Sequence, residues 1–405
     1  MKKRDKIILF SSSYPFGLTE TFLHNEILFL SDHFDIDIYP LIKKRNTDLP
    51  RMLPDNITYR EPFLSRSFIT RIVKGVFNSS PIVPFLQDFL LFLRTSKSKK
   101  RAFKQWFLYM ITYRAIISDD RFKNILRESD HSIVYFYWGN FPFNLIRFPQ
   151  RVFVRIHGGE VNFERHLGYI PFSDRKFGPK ITFLPISEDA TRKLYALNKN
   201  AISCISRLGV KYIGQNPDFS GETTLTIVSC SNIIPLKRVH LILRALKQVR
   251  SANVRWFHFG DGPLLSELMA EAQTLPENIS VVFKGRLPNE EILNFYKNNY
   301  VDLFINVSET EGVPVSIMEA LSFGIPCFAT DAGGTKEILD QTGGKIVGVN
   351  FSLNELSDFI INIREYSKKH ELRSGALKLW AEKCDAARNY SNLIKKIKRH
   401  NIINN

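Results

Sequence analysis

Six short apolar runs alternate with amphipathic stretches between residues 225 and 349, and few architectures accept that pattern. The runs at 225–231, 254–259, 279–284, 303–308, 326–330 and 345–349 read as strands, and 301–308 is a continuous apolar run, as a strand covered on both faces should be. Helices are expected between them, near 238–251, 263–273, 289–299 and 314–323, with another at 353–368. Such strict alternation gives a parallel sheet with helices on both sides. The first half repeats the theme less regularly. Strands are expected at 7–12, 35–41, 133–137, 153–157 and 182–186, and helices at 20–30 and 188–197. An aromatic-rich helical insert fills 67–118. At 405 residues two domains are expected: 1–215 and 222–380, joined by a Gly-, Asn-Pro- and Ser-Gly-bearing linker at 211–222. A last helix at 377–397 keeps its apolar residues at helical spacing.

Charge is placed unevenly. The formal net charge is +16, and residues 1–215 hold 34 Lys/Arg against 19 Asp/Glu, so nearly all the excess lies in the first half. That asymmetry suits solubility, an anionic membrane surface, a phosphorylated acceptor or nucleic acid. The run 94–104 carries six cations and no acid, with Phe85, Leu86, Phe89, Leu90 and Phe92 before it and Trp106, Phe107, Tyr109 and Met110 after it. Residues 85–110 thus fit either a peripheral contact with lipid phosphates or a packed insert with a basic turn. No helix-turn-helix, zinc spacing or RNA-recognition signature supports nucleic acid. Cys204, Cys230, Cys327 and Cys384 form no C-x-x-C pair and read as reduced thiols, which implies the cytosol. The apolar run at 7–10 is too short for a signal sequence, and no window is long enough to span a bilayer.

The chemistry concentrates at 309–337. Gly312 supplies a tight turn, Pro314 suits a first helical turn, and Gly324 with Pro326 ends the helix. Bare backbone N–H groups and a helix N-terminus then lie at the carboxyl edge of a parallel sheet, a location that binds phosphates. Glu311 lies in the loop before this helix and Glu319 about two turns into it. Carboxylates there accept hydrogen bonds from hydroxyls that flank a phosphate. The combination points to a sugar joined to a nucleotide through phosphates.

Glu311 and Glu319 match the E-x7-E signature of retaining glycosyltransferases of the GT-B fold. With Gly324, Pro326 and the run 332–337, the segment resembles glycosyltransferase family 4, closely in the C-terminal half and loosely in the N-terminal half. The resemblance implies two Rossmann-like α/β domains facing a central cleft, with an acceptor side at 1–215, a donor side at 222–380 and a helix in 381–405 returning to the first domain. It implies donor contacts from Glu319 to the ribose, from Glu311 to the sugar, and from the amides around Gly312, Val313, Pro314 and Val315 to phosphate and sugar. Lys237 matches the lysine of a G-R-L-x-x-x-K motif on the diphosphate. The arginine of that motif is Asn232 here, and Arg238 is a neighbouring cation. Arg286 flanks the base or the phosphates. Gly17 matches a loop glycine and His157 an H-G motif facing the reacting sugar carbon. Arg207 is a further phosphate candidate.

The reading is a metal-independent hexosyltransferase, without cofactor because the nucleotide-diphosphate sugar is a substrate. It builds cell-surface polysaccharide on a glycan or lipid-linked acceptor. The protein is expected in the cytoplasm or on the inner face of the cytoplasmic membrane. Two other classes stand beside this: a sugar-nucleotide epimerase of the same fold, and a non-enzymatic basic membrane or nucleic-acid binder, which Asn232 keeps open.

Overall fold

A computed structural model describes residues 4–17, 20–43, 49–64, 67–77, 83–127, 132–140, 146–171, 173 and 180–399. The chain divides into two compact units, one of Met1–Ser206 with Ser391–Asn405 and one of Arg207–Tyr390.

The first unit holds a six-stranded parallel sheet, β1 (Asp5–Ser11), β2 (Phe34–Pro40), β3 (Ile57–Tyr59), β4 (Ser132–Phe136), β5 (Arg151–Ile156) and β6 (Ile181–Pro185), in the order β3-β2-β1-β4-β5-β6. Ile7 stands opposite both Ile36 and Ile133, so β1 is central. The sheet is buried through Ile8, Phe10, Val134, Phe136, Val152 and Val154. One ion pair lies inside it. The Arg155 guanidinium meets Glu26 at 2.6 Å with neither side chain exposed, and the Tyr135 hydroxyl donates to the same carboxylate. Arg155 also donates to the Ser206 carbonyl at 2.7 Å, where the unit ends. Removing one partner of such a pair costs roughly 3–5 kcal/mol, because the other charge is left buried.

The second unit holds β7 (Leu225–Cys230), β8 (Val254–Phe259), β9 (Ile279–Phe283), β10 (Leu303–Asn306), β11 (Cys327–Thr330) and β12 (Gly344–Val347), in the order β12-β11-β10-β7-β8-β9. Each unit thus has the doubly wound order of a dinucleotide-binding fold. Its strand order reverses between β1 and β4 in one unit and between β7 and β10 in the other, the point where such sheets bind ligands.

The helical insert of the first unit answers the question left by its composition face by face. Phe85, Phe92, Trp106, Met110 and Tyr113 are buried and join the sheet's core, and the Trp106 indole donates to the Phe85 carbonyl at 2.9 Å. Leu86, Leu90 and Leu93 on helix Val83–Thr95 turn outward, as do Ile69, Val73 and Phe77 along and just past helix Phe68–Val76.

The structure departs from expectation in the element boundaries. β3 was not expected; it is a three-residue edge strand with too little pattern to read. The stretch 353–368 breaks at Asn362 into helices Leu353–Ile361 and Ile363–Lys369. The expected last helix at 377–397 is two helices, Leu372–Leu379 and Ala386–Arg399, with a π-helical turn over Trp380–Cys384 between them. Asp385 starts the second of these: its carboxylate accepts from the amides of Ala387 and Arg388 at 3.1 and 3.3 Å. Residues 391–399 pack in the first unit, where Leu393, Ile394 and Ile397 are buried and Arg151 donates to the Ile397 carbonyl at 3.2 Å. Residues 400–405 of the expected terminal segment lie outside the described residues. The expected linker at 211–222 runs against the second unit through Asn216, which donates to the carbonyls of Tyr296 and Asn299 at 2.6 and 2.8 Å.

Among the described residues no helix is long and apolar enough to cross a membrane.

Candidate active site

The second unit gathers its polar side chains at the reversal between β7 and β10. Beyond β7 the chain turns through Pro235–Lys237 and passes Arg238 in the left-handed region, φ 48°. Lys237 Nζ lies 2.5 Å from Glu311 Oε1, with 22% and 11% of the two side chains exposed. Asn306, at the end of β10, donates to the same oxygen at 3.4 Å. The Glu309 amide donates to the Leu236 carbonyl at 2.9 Å, which ties the two loops together. The turn at Glu311 and Gly312 is backed by a second loop. Gly334 donates to the Gly312 carbonyl at 2.7 Å. A Cβ on Gly333, whose φ is +58°, would stand 2.0 Å from the Glu311 carbonyl oxygen, so only glycine fits.

Pro314 precedes helix Val315–Ser322, and no side chain caps that helix. The amides of Gly312, Val313 and Val315 have no acceptor among the described residues. First-turn donors of a helix have no partner within it and carry its positive end. Glu319, further along the helix, is buried. Asn289 donates to its Oε1 at 2.8 Å, and burial pushes its pKa up to about 7 against the lowering effect of that bond.

A buried relay stiffens the base of the loop after β7. The Trp256 indole donates to Ser229 Oγ at 2.9 Å, Ser229 Oγ meets His258 Nδ1 at 2.7 Å, and His258 Nε2 meets the Ser231 carbonyl at 3.1 Å. Desolvation lowers the His258 pKa to about 4, so at neutral pH the ring is uncharged and donates from Nε2. Neither this relay nor Asn289 and Asn306 was singled out from sequence. Their roles depend on contacts between strands that spacing does not reveal.

The expected residues divide by what they touch. Lys237 and Glu311 meet directly. Asn232 and Arg286 meet at 3.2 Å. Arg238 is turned elsewhere: its guanidinium donates to the carbonyls of Val307 and Val349 at 2.8 Å each and of Ser308 at 3.5 Å. It ties the loop after β7 to the carboxyl ends of β10 and β12. Arg207 pairs with Glu337 at 2.7 Å.

In the first unit the corresponding reversal, between β1 and β4, is already filled. Glu20 has a left-handed backbone, φ 57° and ψ 40°. Its carboxylate accepts from the amides of Ser12, Ser13 and Tyr14 at 3.1, 2.8 and 2.8 Å and from the Trp138 indole at 2.6 Å. Trp138 stacks on His157 with ring centroids 4.4 Å apart. The His157 amide donates to Glu160 at 3.1 Å and its Nε2 meets the Tyr137 carbonyl at 3.0 Å. Desolvation, with help from Arg155, lowers the His157 pKa to about 3. The ring is neutral and offers Nδ1 as an acceptor. Gly17 has φ +71°, and its carbonyl accepts from Arg51 at 3.2 Å. Leu18 and Thr19 of that loop lie outside the described residues. Among the described residues no three His, Cys, Asp or Glu side chains converge as metal ligands.

Two doubly wound units of six parallel strands each are the fold of the GT-B glycosyltransferases. More particularly, residues 215–375 match the family described as "Glycosyl transferases group 1". The chain is similar to the putative colanic acid biosynthesis glycosyltransferase WcaL of Escherichia coli K12, 26% identical over 199 residues, which cover 45% of this chain and 48% of that protein. The chain spans about half or less of the length of the curated relatives it matches. Among solved structures, the lipopolysaccharide outer core galactosyltransferase WaaB superposes with TM-score 0.63 at 15% identity, over 98% of this chain and 99% of that one. Anabaena HepE in complex with UDP-glucose superposes with TM-score 0.60 at 14% identity, over 98% of this chain and all of that one. At such identities the likeness is one of fold.

Proposed function

We propose that this chain is a retaining glycosyltransferase of the family-4 type. It moves a hexosyl group from a nucleotide-diphosphate sugar to a hydroxyl of a glycan or lipid-linked glycan, in cell-surface polysaccharide synthesis. The observation that carries the reading is the Lys237–Glu311 contact beside the uncapped N-terminus of helix Val315–Ser322. A diphosphate fits amides that have no protein acceptor. A sugar hydroxyl fits a carboxylate oriented by a lysine and an asparagine, and ribose hydroxyls fit Glu319 when it is ionised. The likeness to WcaL, named for colanic acid biosynthesis, and to HepE, solved with UDP-glucose, supports this class of donor and acceptor.

In the proposed reaction the anomeric C–O bond breaks and its electron pair passes to the diphosphate oxygen. Lys237 and the helix amides stabilise the charge that develops there. The acceptor hydroxyl attacks from the same face, and its proton passes to the departing diphosphate oxygen. The protein supplies the neutralising charge itself, so the mechanism uses no metal. The test is a panel of nucleotide sugars ranked by thermal stabilisation, followed by transfer assays with product stereochemistry read by NMR. An inverted product would overturn the retaining assignment. Release of an epimerised sugar without an acceptor would replace transfer by epimerase chemistry.

The proposal extends to peripheral binding on an anionic bilayer. The outward stripes Leu86, Leu90, Leu93 and Ile69, Val73, Phe77 accompany the exposed cations Arg94, Lys97, Lys99, Lys100, Arg101 and Lys104. Apolar stripes edged by cations suit the lipid interface, and each cation near an anionic surface contributes about 1 kcal/mol. Sedimentation with phosphatidylglycerol vesicles tests this. Binding should fall when Leu86, Leu90 and Leu93 become serine, and when phosphatidylcholine replaces the anionic lipid. Equal binding to both vesicles would remove the electrostatic part.

A further inference from the structure

The amides at the reversal point of the first sheet are spent on Glu20, and what stands beside them is aromatic. Trp138 lies on His157 with centroids 4.4 Å apart and planes 36° apart. Phe22 meets His157 at 5.6 Å and Trp138 at 6.1 Å. Tyr137 meets His157 at 5.0 Å and Trp138 at 5.9 Å. The four rings come from three stretches of chain that share the sheet's carboxyl edge. Phe22 begins helix Thr21–Ser31, Tyr137 and Trp138 follow β4, and His157 follows β5. Tyr137 is fully buried, whereas Phe22 and Trp138 are half-buried.

The indole is held in one orientation. Its N–H donates inward to the Glu20 carboxylate at 2.6 Å, and that carboxylate also accepts three amides and the Ser13 hydroxyl at 3.4 Å. Glu20 is only 7% exposed. A tryptophan that merely reaches the surface keeps its N–H for water. Here the polar edge is used inside the protein, so the outward part of the ring is carbon alone. The clamp also holds Glu20 in the left-handed region, φ 57°. Strain of that kind in a residue other than glycine gathers at ligand sites.

We propose that this wall is a saccharide subsite, in which the face of Trp138 turned from His157 stacks against the apolar C–H face of a sugar ring. The sugar's role, as part of the acceptor, rests on the function proposed above; its chemical class does not. Among the described residues the ring contacts of Trp138 are Phe22, Tyr137 and His157. An anion gains little at this edge, because the amides are taken and the His157 ring carries no charge at neutral pH. A hexose is uncharged and presents a flat C–H face, which an oriented aromatic ring matches.

The test uses the whole chain labelled with 5-fluorotryptophan. Its four tryptophans give four fluorine signals, and the one missing from W138F belongs to Trp138. Methyl glycosides of glucose, galactose, mannose and N-acetylglucosamine are titrated to about 100 mM, since ligands of this size bind in the millimolar range. At least one should move the Trp138 signal saturably and leave those of Trp106, Trp256 and Trp380 in place. Its affinity should fall about tenfold in W138A and less than about threefold in W138F, which keeps a flat ring. No saturable movement of any signal in wild type, an outcome read without a variant, overturns the subsite, and so does undiminished affinity in folded W138A. Calorimetry with UDP, GDP, ADP and dTDP separates this from the transferase reading. Nucleotide binding without a saccharide shift removes the subsite and keeps the reading. A saccharide shift at Trp138 in a chain that binds none of the four keeps the subsite and removes the reading.

Discussion

The two sheets share one strand order and use their reversal points in opposite ways. Between β1 and β4 the amides of Ser12, Ser13 and Tyr14 grip the protein's own Glu20 carboxylate, and Trp138 completes the grip. Between β7 and β10 the carboxylates are turned from the amides. Glu311 is held by Lys237 and Asn306, Glu319 by Asn289, and helix Val315–Ser322 has no side-chain cap. The architecture creates an anion-binding edge in both units. Where one glutamate points decides whether the edge's amides are already taken. The first unit carries most of the chain's positive charge, yet its reversal point is closed to phosphate. Net charge locates a phosphate site poorly when a local carboxylate already holds the donors.

The largest expected effect follows from disabling the open edge. Lys237→Ala and Glu311→Ala should each lower kcat for transfer by about 100- to 1000-fold, the range for losing a group that stabilises developing charge. Circular dichroism should stay unchanged, since neither side chain belongs to the unit's apolar core. Retained activity in both variants would remove the contrast between the two edges.

Much of this was legible in the residue order. The second unit's strands are short, largely apolar stretches in regular alternation with helices, and each expected strand lies within two residues of its observed ends. Glu311 and Glu319 stand out because they flank the start of a strand–turn–helix pattern, and Lys237 because it matches a motif of the family the chain resembles. Arg238 and Arg286 could not be sorted, because a sequence gives no side-chain direction. Arg238 turns back onto carbonyls, and Arg286 crosses from the third strand. The residue order makes Glu20 the first residue of an expected helix at 20–30. Its left-handed backbone and its grip on the β1 loop depend on a tertiary contact with Trp138, 118 residues away. The break at Asp385 was readable in principle, since aspartate followed by Ala-Ala-Arg is a helix start, but the helical spacing of apolar residues runs through it unbroken.

A smaller effect is expected at the closed edge. Glu20→Gly fits the left-handed backbone while emptying the amide cradle. Leaving buried donors unpaired should cost about 1–3 kcal/mol, read as a lower urea midpoint with unchanged slope. The emptied cradle should then accept an outside anion. Millimolar sulfate should raise the melting temperature of the variant by more than that of wild type, by mass action. Equal shifts in both proteins would mean that the cradle does not bind anions.

The smallest effect is a pH dependence confined to the open edge. Burial raises the Glu319 pKa to about 7, while the unfolded chain titrates near the ordinary value of about 4.3. The folded protein therefore holds the proton more tightly than the unfolded one. The group's contribution to stability is present below pH about 4 and is lost as pH rises towards 7. Donor binding has the opposite sign under the proposed function, in which the ionised carboxylate accepts the ribose hydroxyls. Affinity for the nucleotide sugar should rise by up to about tenfold per unit below pH 7 and level off above it. His157, with a pKa near 3, contributes no titration in this range. Glu319→Gln should flatten both profiles. A pH-independent wild-type affinity between pH 5.5 and 8.5 would place Glu319 outside the ribose contact.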